Sequence, residues 1–219
     1  MLGLTACGSA ENDSNTASTV TTSQTEANQT ETAKQTENSE DKSTSADTAA
    51  APETADENQS SGKDTIVVYF SATGTTKGVA ERIANVTNAD LYEIIPAEPY
   101  SDADLDWNDK NSRTTIEMND PNARPAIADN TISFDGYSTV YIGYPIWWGD
   151  APRIMSTFVE AHDFGGLTVI PFCTSGGSGI GRSGSNLASQ ADSGNWLDGK
   201  RLEAGSSEDE ISTWINGLN

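Results

Sequence analysis

Three short stretches hold the residue types that could grip a ligand. The first is Ser71-Ala72-Thr73-Gly74-Thr75-Thr76. It follows the β-branched and aromatic run Thr65–Phe70. It precedes Val79, Ile83 and Val86, which are spaced as on one helix face. A strand that enters a hydroxyl- and glycine-rich turn opening a helix presents small hydroxyls and backbone N–H groups at the positive end of the helix dipole. That is phosphate-binding chemistry. The turn has no basic residue before Lys77, so it suits a lone monophosphate. Thr76-Lys77-Gly78 also breaks the Gly-x4-Gly-Lys-Ser/Thr spacing of triphosphate loops. Phe70-Ser71 supplies no acidic residue for a phospho-accepting receiver domain. An ordinary Ser/Thr-capped strand–helix turn has the same composition.

The second stretch is Pro145-Ile146-Trp147-Trp148-Gly149-Asp150. Two adjacent indoles at a strand end offer a flat apolar plate suited to a planar heteroaromatic ring. One of them is expected to cap the core instead. Gly149 permits its peptide to flip at low cost, turning a carbonyl or an N–H toward a bound ring. The third stretch, Thr174-Ser175-Gly176-Gly177-Ser178-Gly179, has no side chain larger than Thr. Its backbone can approach a ligand closely and donate N–H groups. Cys173 before it reads as a packing residue. Gly179–Gly184 formally matches Gly-x-Gly-x-x-Gly but follows the fourth strand, so it reads as more of the same loop, with Arg182 free to meet an anionic second substrate.

The elements that must position these stretches alternate strand and helix. Strands are expected at Thr65–Phe70, Leu91–Ile95, Thr139–Tyr144, Leu167–Phe172 and around Lys200–Glu203. Helices are expected after the first turn, after Pro152, near Ser185–Ala191 and at Glu208–Gly217. The pattern predicts an α/β fold, a three-layer, doubly wound, five-stranded parallel sheet of order 2-1-3-4-5. Ligands bind where the winding reverses, at the carboxyl ends of the strands, and all three stretches fall there. The polar segment from Ala97 to about Gly136 is long for a connection. Surface helix is expected near Ser101–Leu105 and Asn111–Met118.

The chain of 219 residues divides by composition. Residues 8–62 are nearly all small or polar, with Val20 their only large aliphatic residue. They are expected to be a disordered linker. Residues 63–219 hold all five Trp and all six Tyr and have the size of one domain. The formal net charge of −21 argues against nucleic acid and against anionic lipid as electrostatic partners. Cys7 and Cys173 are placed unlike a disulfide pair. His162 has no companion ligand, so no metal site is expected. His162 is expected to cap or follow a helix. Leu4-Thr5-Ala6-Cys7 resembles the lipobox of bacterial lipoproteins, in which the Cys takes the lipid. Residues 1–7 then read as the remnant of a signal segment. Only six residues precede Cys7, so upstream residues are expected to be missing. The expectation is a lipid-anchored domain on the extracytoplasmic side.

Taken together, the three stretches resemble a flavodoxin from Lys63 to the C-terminus. Ser71–Thr76 is similar to that family's phosphate loop for FMN. Trp148-Gly149-Asp150 matches its Trp-Gly-Asp signature. The resemblance implies that Trp148 stacks on the isoalloxazine and that the Gly149–Asp150 peptide flips to bond the ring's N5 on reduction. It also implies that Thr174–Gly179 is the second flavin-contacting loop. Many flavodoxins carry acidic residues and a Tyr in that loop, whereas this one has only Gly, Ser and Thr. One ring face is therefore open, or covered from the long insertion by Tyr100 or Trp107.

Three functions follow. An FMN electron carrier serving a redox partner protein or a small acceptor fits the acidic chain, because fixed carboxylates disfavour added negative charge on a bound redox group. An FMN-dependent NAD(P)H or quinone reductase fits an open ring face. A non-redox phosphate-ligand binding module would keep the fold and stay colourless with FMN.

Overall fold

The computed structural model describes residues 63–218; Cys7 and the linker 8–62 lie outside the described residues. The elements are β1 (Thr65–Tyr69), α1 (Thr75–Thr87), β2 (Asp90–Glu93), α2 (Arg113–Asn119), β3 (Thr139–Pro145), α3 (Arg153–Ala161), β4 (Thr168–Thr174), α4 (Ser183–Ala191), β5 (Asn195–Trp196), β6 (Lys200–Arg201) and α5 (Glu208–Asn216). All strand pairings in the sheet are parallel. The order is β2-β1-β3-β4-β5, with β6 also on β4. This is the doubly wound 2-1-3-4-5 arrangement the sequence predicts.

Both faces of the sheet are covered, as the unbroken apolar runs of its inner strands require. Ile66, Val68 and Phe70 pack with Val140, Ile142, Ile154 and Phe158 on one face. Val67 and Tyr69 pack with Val79, Ile83, Tyr141 and Ile211 on the other. Alternation along β1 thus feeds two cores. His162 follows α3 as its C-cap residue, with Nδ1 2.8 Å from the Phe158 carbonyl.

Two expectations need correction. The fifth strand, expected as one piece near Lys200–Glu203, is two pieces. Thr168 pairs with Asn195 and Val169 with Trp196; Phe172 pairs with Lys200 and Cys173 with Arg201. The cause lies in β4. Its Val169 and Cys173 carbonyls accept from Leu197 and Leu202 N–H on the edge side. Pro171 lies midway and faces the same edge without an N–H to give, and the edge strand breaks beside it. In the insertion, residues 101–105 form turns, and only the second expected helix is present, as α2. Ser112 caps it by accepting from Thr115 N–H.

The insertion is fastened to the body. The Pro96–Ile127 bridge runs it back antiparallel beside the end of β2. Arg124 makes paired bonds of 2.7 and 2.6 Å to the Glu160 carboxylate of α3. Thr157 Oγ1 donates to Pro125 O at 2.9 Å and Arg153 to Met118 O at 3.1 Å.

Gly143 in β3 lies directly under the buried Phe172 ring. A Cβ there would stand 2.1 Å from Cζ. Gly143→Ala should cost about 2–3 kcal/mol by overpacking, read as a lower urea midpoint at unchanged slope. Gly205→Ala, with open space around the new methyl, should leave the midpoint within error.

Candidate functional site

The loops after β1 and β3 line one cavity of about 390 Å3 at the carboxyl edge of the sheet. Its walls are Ser71, Ala72, Thr73, Thr75 and Thr76 from the first loop and Pro145, Ile146, Trp147 and Trp148 from the second. Leu105, Trp107 and Thr114 of the insertion complete it. The hydroxyl-rich turn and the paired indoles therefore share one space, inside the range of roughly 300–1,000 Å3 typical of small-molecule sites.

The floor of the cavity has the makings of an anion cradle. Gly74 enters α1 at φ +82°, no side chain caps the helix, and its first turn has no acidic residue. Gly78 N–H bonds back to Gly74 O. The N–H groups of Thr75, Thr76 and Lys77 precede that first intrahelical bond and point outward. Ser71 Oγ is buried without a hydrogen-bond partner among the described residues. Hydroxyl and amide donors at a helix N-terminus fit a phosphate. Lys77 is engaged elsewhere, 3.4 Å from the Glu93 carboxylate, so the donors are neutral. Thr76 Oγ1 bonds Thr174 Oγ1 at 2.8 Å, which ties the first loop to the end of β4.

The two indoles divide their tasks. Trp147 packs edge-on against Phe70 and Tyr100, with ring centroids 5.6 and 5.4 Å away, and is the expected core-capping indole. Trp148 is 48% exposed at the cavity wall and can face a ligand ring. The turn that holds it is tight. Trp147 N–H donates to Asp150 O at 2.9 Å and Asp150 N–H to Trp147 O at 3.0 Å. Trp148 (φ +48°) and Gly149 (φ +81°) sit between them. A two-residue turn with both central residues at positive φ is type I′. The Asp150 carboxylate anchors it by accepting from Asn186 Nδ2, 3.2 Å from each oxygen, and from Ala151 N–H at 2.9 Å.

The turn sets what the expected peptide flip must break. The Gly149–Asp150 peptide gives its N–H to the turn, and the central peptide is Trp148–Gly149. Inverting that peptide would convert the turn to type II′, whose first central position belongs to Gly. Trp148 occupies it, which makes that conversion costlier than with Gly there.

The third loop is placed differently. Thr174 is buried behind the first loop. Ser175, Gly176, Gly177, Ser178 and Gly179 are not among the residues lining the cavity. Ser175 Oγ donates to Ser178 O, folding the loop on itself, and Arg201 holds Ser175 O at 3.2 Å. Gly149 and Asp150 also stand outside the lining. Cys173 is fully buried, and burial pushes its thiol up to about 12. It stays protonated, as a packing residue would. Tyr100 is committed as well: its hydroxyl donates to Glu117 at 2.7 Å, and the Arg113 guanidinium lies 4.1 Å over its ring. Leu105 and Thr114 escape a reading of the sequence, because nothing local marks a Leu or a Thr inside a polar insertion as cavity-lining.

Comparison with known proteins agrees with this fold. A family model described as flavodoxin matches residues 64–218. No curated protein matches the chain. Among solved structures, a protein from Bacteroides uniformis ATCC 8492 classed as a flavoprotein is 47% identical, with TM-score 0.67, covering 71% of this chain and 99% of its own. A counterpart from Bacteroides eggerthii DSM 20697 is 48% identical, with TM-score 0.67, over 71% of this chain and 97% of its own. A flavoprotein from Lactobacillus acidophilus NCFM, solved in complex with FMN, is 24% identical, with TM-score 0.53, over 70% of this chain and 99% of its own. With the family model spanning most of the chain, and with the sheet order and loop placement described above, the protein belongs to the flavodoxin family.

Proposed function

We propose that this protein binds FMN and carries electrons, held on the outer face of the membrane by lipid on Cys7. One observation carries the FMN reading: a neutral phosphate cradle and an exposed indole line the same cavity. The Lactobacillus relative in complex with FMN supports it. In this reading Ser71 Oγ and the N–H groups of Thr75, Thr76 and Lys77 hold the phosphate. Trp148 faces the flavin ring, and Asp150 fixes the turn that presents it. Bound FMN supplies reversible electron transfer. The acidic chain, with a formal charge of −21, favours a carrier working with a basic partner. The Leu4-Thr5-Ala6-Cys7 sequence supports the tether, with the polar residues 8–62 as its spacer.

Titration of the apo-protein with FMN should give a dissociation constant in the micromolar range or below; no binding there ends the FMN reading. Ser71→Ala should weaken FMN about 10- to 100-fold, the scale of a hydrogen bond to a charged group, with riboflavin affinity unchanged. Mixing the FMN-loaded protein with NADPH in the absence of oxygen should bleach the flavin no faster than free FMN. Rapid bleaching without a partner protein would assign a reductase instead. In cells the protein should fractionate with membranes and Cys7→Ala should release it; cytosolic protein with an unmodified Cys7 would refute the tether.

A further inference from the structure

The insertion supplies an aromatic residue whose placement the fold does not explain. Trp107 is 73% exposed, the most exposed of the large apolar side chains among the described residues. Other tryptophans have visible duties. Trp147 packs on Phe70. Trp196 donates Nε1–H to Ser193 O at 2.9 Å. Trp214 meets Tyr141 edge-on with centroids 6.0 Å apart. Trp107 instead lines the cavity together with Trp148 and the phosphate cradle. Leaving so large an apolar surface in water at the rim of a cavity is unfavourable unless something covers it.

The segment that carries Trp107 is fixed in place. Thr114 Oγ1 donates to Asp104 O at 2.6 Å, and Thr114 N–H reaches the same carbonyl at 3.1 Å. Leu105 N–H bonds Ser101 O at 3.1 Å. The indole is thus delivered to the cavity wall by a loop pinned on both sides of it. The other candidates for a second apolar wall are accounted for. Tyr100 is held by Glu117 and Arg113, and the third loop offers no aromatic side chain.

We infer that Trp107 is a cofactor-contacting residue that buries its indole against the bound flavin, so that the insertion, and not the loop after β4, completes the ring site. This rests on the FMN reading above. The wall is made by Leu105 and Trp107 on one element and Trp148 on another, with Thr114 beside them.

The test is FMN titration of wild type, Trp107→Ala, Trp107→Phe and Leu91→Ala, read by flavin fluorescence and absorbance. Trp107→Ala should weaken FMN roughly 10-fold or more, the scale of losing one ring-stacking contact. It should also leave the bound flavin brighter, since a quenching indole has gone. Trp107→Phe should recover most of the affinity. Leu91, exposed on β2 outside the cavity, should be silent. Trp107 is mostly in solvent, so its urea midpoint should match wild type; this separates lost contact from lost fold. Wild-type FMN affinity and unchanged flavin fluorescence in Trp107→Ala overturn this inference and leave the FMN reading standing. Failure of wild type to bind FMN overturns both.

Discussion

The position of β3 between β1 and β4 governs the whole site. Residues at the strand ends join the loops before any ligand arrives. Phe70 N–H donates to Gly143 O at 2.9 Å, and Ile146 N–H to Thr174 O at 2.9 Å. The Thr76–Thr174 hydroxyl pair adds a side-chain link between the first helix and the fourth strand. Three exits from a parallel sheet are thereby held side by side at one edge. A bare Gly143 allows the Phe172 ring to lie on β3 and keep that spacing. The cavity is a consequence of strand order, because the winding reverses between β1 and β3 and no crossover covers the gap.

Local sequence is a good guide where local physics decides. Thr65–Phe70 alternates between two cores, and the Ser71–Thr76 turn needs only its own composition to open a helix. The Trp147–Asp150 turn is half legible: Gly149 announces a positive φ, but a Trp at φ +48° does not. It takes the mutual Trp147–Asp150 bonds and the Asn186 anchor to hold one there. The broken fifth strand cannot be read from its own residues, since the cause is Pro171 in a neighbouring strand. The insertion is harder still. Leu105 and Thr114 sit in a segment closed by the Thr114–Asp104 bonds, and the insertion beyond it is pinned to α3 through Met118, Arg124 and Pro125, contacts between residues 32 to 36 positions apart. Thr174–Gly179 is legible only in part, since Ser175–Gly179 are not among the residues lining the cavity. Its composition permits close approach to a ligand, but composition does not fix where such a loop lies.

Charge explains why the donors at the start of α1 are neutral ones. In a chain with 33 acidic and 12 basic residues, a lysine near the sheet edge finds a carboxylate before it finds a ligand. Lys77 is the example, drawn to Glu93 while Tyr69 donates to the same carboxylate at 2.8 Å. Backbone N–H groups cannot be diverted in this way. Their direction is set by the helix, and their strength grows in a site shielded from water. The phosphate site proposed here, built on amide and hydroxyl, is therefore one that an acidic chain does not divert, as it diverts Lys77.

The same logic of fixed groups applies to the turn beside the ring site. Holding Trp148 in the left-handed region costs about 1–2 kcal/mol, and the cost is met by bonds on either side of it. Asp150 is central to this, joining the turn to α4 through Asn186 and lying 3.8 Å from Arg153 of α3. An indole held in this way loses little further freedom when a ligand arrives, so the strain is set against the entropy of binding. A turn with Gly in that place would relax more easily and present its neighbouring peptide either way up. Here the chain has exchanged part of that latitude for a more firmly held aromatic wall, and a change of this peptide's direction carries the added cost of a Trp in a position that favours Gly.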